Sequence, residues 1–303
     1  MAETEDMRTL CILGCGNLGT AILRSLLQNS EDKRTSLPFA RFIACIQSQT
    51  SELRLASQFP QYAEKFLIYR DNNVDAMRDS DVIILALDPS RIEAELTLPG
   101  LRDALANKLL ISVAAGWTRQ KLETTLYGSA ITSGNTDGRA WVVRTLPNTA
   151  ALVSQSLTAI EISEPTVPEA SLRVIDLIFG KLGKTVHIPP SLMDATTAVA
   201  GSTPAMFAVI VDAMIDAAVA VGMPRDMAHV MIFQAMQGTA SLLQSGVHPA
   251  LLKDQGTSPE GCTIGGLMTM EDAGVRGHVG RALREAVTVA RRMDGTSHVN
   301  DTK

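Results

Sequence analysis

The apolar stretch Leu10-Cys11-Ile12-Leu13 runs directly into Gly14-Cys15-Gly16-Asn17-Leu18-Gly19 and then into a helical pattern from Thr20 to Gln28. A strand, a glycine turn and a helix in immediate succession admit few structures. The first glycine permits the tight turn, the second leaves bare backbone for a pyrophosphate to approach, and the third lets the helix pack closely on the strand. Amides at the helix N-terminus then form an anion site. A plain glycine turn is the alternative, but its place straight after a strand near the N-terminus favours a dinucleotide site at Gly14, Gly16, Asn17, Leu18 and Gly19.

Further along, short apolar runs alternate with helix-sized segments: Phe42 to Ile46, Val82 to Ala86, Leu109 to Val113, and Trp141 to Val143. Runs of this kind read as parallel strands covered on both faces. Leu157 to Ile162 and Lys184 to Ile188, flanking a helix from about Pro168, extend the sheet to the Pro189-Pro190 break, while Gly128 to Gly138 reads as a surface loop. Beyond Pro190 the texture becomes rich in Ala and Met, with apolar residues such as Met206, Val209, Ile210, Ala213, Met214 and Ala217 at helical spacing. Gly222-Met223-Pro224 and Gly246-Val247-His248-Pro249 mark helix stops and starts, helices run to about Arg292, and a polar tail follows. The expected fold is therefore α/β, an N-terminal Rossmann-type doubly wound parallel sheet followed by an all-α C-terminal domain. The expected domains are residues 1–189 and 190–303. A helix apolar nearly all round needs more cover than one small domain offers, so a homodimer or higher homo-oligomer is expected through the second half.

Composition narrows the function. The chain has 303 residues, 46% of them hydrophobic, which is ample for a packed core. Its formal charge of -5, with no basic cluster, argues against nucleic acid as a partner. Cys11, Cys15, Cys45 and Cys262 fit neither a zinc site nor a disulfide framework. Met1 to Met7 are acidic and polar, unlike a signal or transit peptide. No uninterrupted apolar run reaches membrane-spanning length, because Asp212 and Asp216 break the longest. A cytoplasmic protein without a membrane partner is expected. His187, His229, His248 and His278 show neither metal spacing nor an acid partner, so no metal site is expected, and Met227, Met231 and Met236 read as core or subunit contact.

The end of the second strand selects the cofactor, since a carboxylate there binds the ribose hydroxyls of NAD and repels a 2′-phosphate. Gln47, Ser48, Gln49 and Thr50 stand there, with no carboxylate before Glu52 and no Arg in the turn. NADPH is the expected cofactor and NADH the other candidate; Glu52 taking the ribose is the alternative.

The most specific motif is Thr257-Ser258-Pro259-Glu260-Gly261-Cys262-Thr263-Ile264-Gly265-Gly266-Leu267, preceded by Leu252-Lys253-Asp254 and followed by Met270-Glu271. It resembles the C-terminal signature of the pyrroline-5-carboxylate reductases. Gly14-Cys15-Gly16-Asn17, Ser112-Val113-Ala114-Ala115-Gly116, Arg144-Thr145-Leu146-Pro147-Asn148-Thr149 and Gly201-Ser202-Thr203-Pro204-Ala205 follow in that family's order, so the resemblance covers nearly the whole chain. It implies reduction of the cyclic imine 1-pyrroline-5-carboxylate to L-proline. It also implies that Ser258 and Thr263, with the loop amides of Gly261 and Cys262, hold the substrate carboxylate, and that Thr263 bonds the ring nitrogen as the catalytic residue. Ala114, Ala115, Gly116, Pro147 and Asn148 would line the nicotinamide, Ser48 and Asn73 the adenosine ribose and its phosphate, and Ala86 and Pro89 the cofactor's edge.

The chemistry of the residues agrees. Hydroxy-acid dehydrogenases need a base such as Lys, and short-chain reductases a Tyr near a Lys. No lysine stands between Lys184 and Lys253, and no Tyr-x-x-x-Lys occurs. A protonated imine needs less help, because positioning of the hydride donor against the imine carbon dominates. Thr263 as a cap of a helix starting after Pro259 is the alternative to its substrate role, and the two are compatible. Three positions depart from the family: Asp88 replaces the Lys of Val-Lys-Pro, Glu260 replaces a glycine, and Ala150 replaces the proline of Pro-Asn-Thr-Pro. Asp88 and Glu260 keep a second function open, a specialised imine reductase acting on a substituted pyrroline carboxylate. An inactive dinucleotide-binding paralogue is the third.

Overall fold

The computed structural model describes residues 8–30, 37–162 and 164–294. The readings of Met1 to Met7 and of the polar tail after the last helix lie outside the described residues.

Eight strands form one sheet: β1 (Arg8–Leu13), β2 (Phe39–Ile46), β3 (Phe66–Arg70), β4 (Val82–Leu85), β5 (Leu109–Ser112), β6 (Trp141–Leu146), β7 (Ser156–Glu161) and β8 (Gly183–Ile188). Their order is β3-β2-β1-β4-β5-β6-β7-β8. The first six are parallel. β7 runs antiparallel to β6, and β8 is parallel to β7. The reversal has a simple cause. Only Pro147 to Gln155 join β6 to β7, and a parallel return needs a crossover of about a dozen residues or more. β3 was not expected from the sequence. It is the edge strand, and Phe66 is its one buried residue, so it lacks the continuous buried run that marks the central strands.

The central strands are apolar without interruption because helices cover both faces. Alternate residues enter opposite cores: Leu10, Ile12, Ala44, Ile84 and Ile111 one way, Cys11, Leu13, Ile43, Ile83, Leu85 and Leu110 the other. The helix Asn17–Asn29 buries Ile22, Leu23, Leu26 and Leu27, and the helix Glu169–Gly180 buries Val174, Ile175, Ile178 and Phe179, each forming one apolar stripe on the first face. The sequence pattern placed the start of the first helix at Thr20. It begins three residues earlier because the fingerprint itself supplies the first turn. Gly128 to Gly138 is an irregular segment, anchored by buried Ile131.

Contacts divide the chain into two compact units. One reaches Gly201 and takes in the segment from Val287, where Thr288 and Ala290 are buried; the other is Ser202–Ala286. The texture change at Pro190 thus precedes the contact boundary. The second unit carries the helices Thr203–Ala220, Arg225–Gln244, Pro249–Gln255 and Cys262–Asp272, and the helix Val275–Asp294 begins in it. Pro224 and His248 stand at the N-caps where the breaks were expected.

One helical run bears on the membrane expectation. Read by length and mean hydropathy, the helical run Pro190–Ala220 is long and apolar enough to cross a membrane, with an 18-residue window of mean hydropathy 1.7. It is not an uninterrupted apolar run, because Thr, Ser and Gly, with Asp212 and Asp216, interleave with the apolar residues. Only 11% of that window is buried within the chain. Val209, Phe207 and Met214 on this helix, and Val230 and Phe233 on Arg225–Gln244, stand exposed. Met227, Met231 and Met236 are exposed too, so they are not core of the single chain.

Candidate active site

The glycine fingerprint closes β1 at the point where strand order reverses between β1 and β4, the customary ligand crevice of an open α/β sheet. Gly14 holds φ +98°, and a Cβ there would sit 2.7 Å from the carbonyl oxygen of Ala86, whose own amide bonds Leu13 O at 2.8 Å. Gly14 is therefore glycine for conformation and for space. A Cβ at Gly19 would drive into the carbonyl oxygen of Gly14, whereas one at Gly16 would meet nothing within 4 Å. That vacant volume faces the N-terminus of the helix Asn17–Asn29, whose N-cap, Gly16, has no side chain to satisfy the first amides. Asn17 and Leu18 begin that helix.

A cleft of about 340 Å³ opens over the turn. It gathers Gly14, Gly16, Ser48, Asn73 and Ala86 from the sequence reading, and adds Cys15, Gln47, Ser51, Arg54, Asp88 and Arg91. Ser48 caps the helix Gln49–Gln58 by accepting from the Ser51 amide at 3.1 Å. Glu52 is not in the cleft. Its carboxylate pairs with Arg70 at 2.8 Å, an arrangement that speaks against the ribose role the sequence left as the alternative. Asn73 gives its Nδ2 to buried Glu95 at 2.7 Å, and its buried Oδ1 is left without a partner. Such an orphaned acceptor suits a ligand hydroxyl or amino group.

Charge in the cleft is mixed. Arg54 and Arg91 are cationic, and Asp88 stands where the family has lysine. Asp88 accepts from Ser90 Oγ at 2.6 Å and from Ser90 N at 2.9 Å, which holds its carboxyl below the ordinary value. Burial pushes the Cys15 thiol well up, with Cys45 adding to the shift, so Cys15 lies beside the turn as a neutral thiol and not a thiolate nucleophile. The sequence reading missed Arg54 because it lies beyond the turn, on the second turn of the following helix.

Further along the same rim stand the remaining cofactor candidates, at the C-terminal ends of successive parallel strands. Pro89 follows β4, and its carbonyl accepts from Trp117 Nε1 at 3.0 Å, tying this edge to the turn after β5. Ala114, Ala115 and Gly116 form that turn; Gly116 has φ +72°, and a Cβ there would lie 2.8 Å from Met293 Cβ. Pro147 and Asn148 follow β6. The Asn148 side chain accepts from Ala150 N at 3.1 Å and donates to Ala200 O at 2.9 Å, inside the π-helical segment Thr197–Ser202. Its amide is thus spent on shaping the rim.

In the second unit, Thr257 to Gly261 turn into the helix Cys262–Asp272. The Gly261 amide donates to Ser258 O at 3.0 Å, and a Cβ on Gly261 would lie 2.5 Å from Ser258 Oγ. Serine hydroxyl and helix start are therefore in contact, and a side chain at position 261 would have to push that hydroxyl aside. The N-cap is Gly261, with no side-chain cap. Thr263 is the second residue of the helix, not its cap, so the capping alternative is corrected: the helix starts at Cys262 and not directly after Pro259. The first amides, from Cys262 onward, lack a side-chain partner and, with Ser258 and Thr263, form an arrangement that can hold a carboxylate. Glu260 adopts φ +60°, the left-handed conformation that glycine takes freely, which is the physical reason for the family's glycine here. Its side chain is exposed.

One histidine differs from expectation. His187 Nε2 lies 2.9 Å from Asp176 Oδ1, so it has an acid partner, contributed by the helix that crosses behind β8 and invisible to sequence spacing. Both are substantially exposed, far from any rim residue in sequence. No group of three potential metal ligands occurs among the described residues.

Comparison with known proteins matches the N-terminal and C-terminal parts of the chain to separate family models. Residues 190–293 match the family model for pyrroline-5-carboxylate reductase dimerisation, and residues 9–116 that for NADP oxidoreductase, coenzyme F420-dependent. A pyrroline-5-carboxylate reductase of Lophium arboricola is 42% identical, covering 100% of this chain and 98% of that protein. One from Neurospora crassa is 35% identical, covering 99% and 98%. Among solved structures, a Plasmodium falciparum pyrroline carboxylate reductase with NADP bound matches with a TM-score of 0.78 at 23% identity, covering 96% of this chain and 100% of that one.

Proposed function

Because the chain belongs to the pyrroline-5-carboxylate reductase family of NAD(P)H-dependent oxidoreductases, we propose that it reduces 1-pyrroline-5-carboxylate to L-proline with NADPH as the preferred donor. The observation that carries the reading is the fingerprint turn, where bulk is excluded at Gly14 and Gly19 and free only at Gly16, above a cleft with two arginines. The residues fit a dinucleotide: bare amides for the pyrophosphate, the orphaned Asn73 Oδ1 for an adenosine group, and cations for a 2′-phosphate. Gly14, Gly16, Asn17, Leu18, Gly19, Ser48, Asn73 and Ala86 would hold the adenosine and phosphate portion, and Pro89, Ala114, Ala115, Gly116, Pro147 and Asn148 the nicotinamide end.

Bound there, the reduced nicotinamide supplies the hydride. Ser258 Oγ and the amides of Cys262 and Thr263 hold the substrate carboxylate, and Gly261, whose own amide is bonded to Ser258 O, shapes the turn that presents them. The Thr263 hydroxyl accepts from the iminium N–H and orients the ring. The proton already on nitrogen stays on the product amine, so no buried acid or base is required. The neutral Cys15 thiol adds no negative charge of its own beside the phosphates.

A homodimer or higher homo-oligomer is part of this reading. The exposed apolar faces of Thr203–Ala220 and Arg225–Gln244 lie within the segment matched by the dimerisation family model, and a second subunit rather than lipid is their proposed cover. The cytosol is the proposed compartment, in keeping with the free thiols Cys11, Cys15 and Cys45.

The test is steady-state oxidation of NADPH and NADH with pyrroline-5-carboxylate beside a panel of substituted cyclic imines. Faster turnover of the unsubstituted substrate with NADPH is expected. Turnover of substituted imines alone would favour the second reading, a specialised imine reductase, which Glu260 at the carboxylate loop supports. Cofactor binding without any turnover would contradict both.

A further inference from the structure

Arg54 occupies a place in the cleft that neither the glycine fingerprint nor the family resemblance assigns. The helix that carries it, Gln49–Gln58, starts from the end of β2. Its guanidinium reaches back across the crevice: Nη2 donates to Cys15 O at 2.7 Å and Nη1 to Thr20 Oγ1 at 3.4 Å. Cys15 is the middle residue of the phosphate turn. Arg54 therefore bridges the wall that ends β2 and the turn that ends β1, and the rest of its planar fork has no partner among the described residues.

We propose that Arg54 is the residue by which this chain distinguishes NADPH from NADH, binding the 2′-phosphate through the edge of its guanidinium that the turn leaves free. The inference rests on the dinucleotide reading above and goes beyond it. Three observations converge. First, Gln47, Ser48 and Ser51 line the β2 side of the cleft together with Arg54, so no carboxylate there opposes a phosphate. Second, the nearby acid, Glu52, pairs with Arg70, and no ion pair to Arg54 occurs among the described residues. Third, the cleft's other arginine, Arg91, lies on the β4 side and acts on Asp88, so part of its charge is already answered. A guanidinium fork fixed at one edge is pre-organised for two-point contact with phosphate, which an ammonium cannot reproduce.

The experiment is calorimetric titration of the full-length protein with NADP⁺, NAD⁺, 2′,5′-ADP and 5′-AMP, on the parent, R54A, R54K and R91A, with thermal melts alongside. R54A should lose about 10- to 100-fold in affinity for NADP⁺ and 2′,5′-ADP while NAD⁺ and AMP change by less than about threefold. R54K should recover part of that loss, and R91A should discriminate far less between the two ligand pairs. Equal losses for both pairs in R54A would overturn the proposal and leave Arg54 as a strap for the turn. Unchanged binding would overturn it as well. Failure of the parent to bind either dinucleotide would instead strike the cofactor reading itself, a result separable from anything the variants show.

Discussion

Gly19 packs so closely on Gly14 that a Cβ on the former would collide with the carbonyl oxygen of the latter, and would also lie 3.3 Å from Ile12 Cγ2. Gly16, three residues away, faces open space. The two positions should therefore fail differently. Gly19→Ala must lift the helix from β1 and should lower stability by about 1–3 kcal/mol, read as an earlier denaturant midpoint. Gly16→Val should stay within about 1 kcal/mol of the parent yet show no NADPH binding by calorimetry. Retained binding in Gly16→Val would remove the pyrophosphate from this turn.

Thr263→Ala tests the substrate loop. Since Gly261 is the N-cap and makes no side-chain cap, no helix-start bond is lost with the hydroxyl. The melting temperature should hold, while kcat/KM falls by about 1–3 kcal/mol of transition-state binding. Unchanged kcat/KM would take Thr263 out of the site.

Glu260→Gly should act on two levels. The left-handed backbone at φ +60° costs a residue with a Cβ about 1 kcal/mol, so the variant should be more stable by roughly that amount. Removing the carboxylate beside the Ser258 loop should also lower KM for a carboxylate substrate. A melt and a saturation curve on one preparation check both, and a rise in KM would show that Glu260 assists the substrate.

Asp88→Asn should lower KM for NADPH about two- to fivefold at low salt, with the gain fading at high salt, because a negative charge leaves the cleft while the cap to Ser90 is kept. The sign with pH is fixed by the hydrogen bonds from Ser90. They depress the carboxyl's folded pKa, so Asp88 stays ionised down to below the usual carboxylate range. Acidifying the parent from pH 8 to 5 should not reproduce the gain, and KM against pH for both proteins checks it.

Much of this was legible from residue order. The strand-glycine-helix succession at Leu10 to Gln28 announced the cleft, and the apolar runs announced the central strands, because burial on both faces leaves no room for polar alternation. Ser258 and Thr263 were legible as a motif, although the start of their helix was not, since Pro259 resembles a first helical residue as well as a turn residue. What remained hidden depends on distance in space. Edge strand β3 buries little, Arg54 reaches the fingerprint from another element, and Asp176 meets His187 across a helix-strand crossing. Glu52 sits near enough to the end of β2 to read as a ribose ligand, and its pairing with Arg70 is a relationship in space that residue order does not show.

The most direct test of hydride transfer to a cyclic imine is mass spectrometry of the product formed from unlabelled pyrroline-5-carboxylate and NADPH carrying deuterium at the transferable nicotinamide position. Proline heavier by one deuterium, formed in step with NADPH oxidation, is the expected result. Proline without the label, or NADPH oxidation without proline, would contradict it.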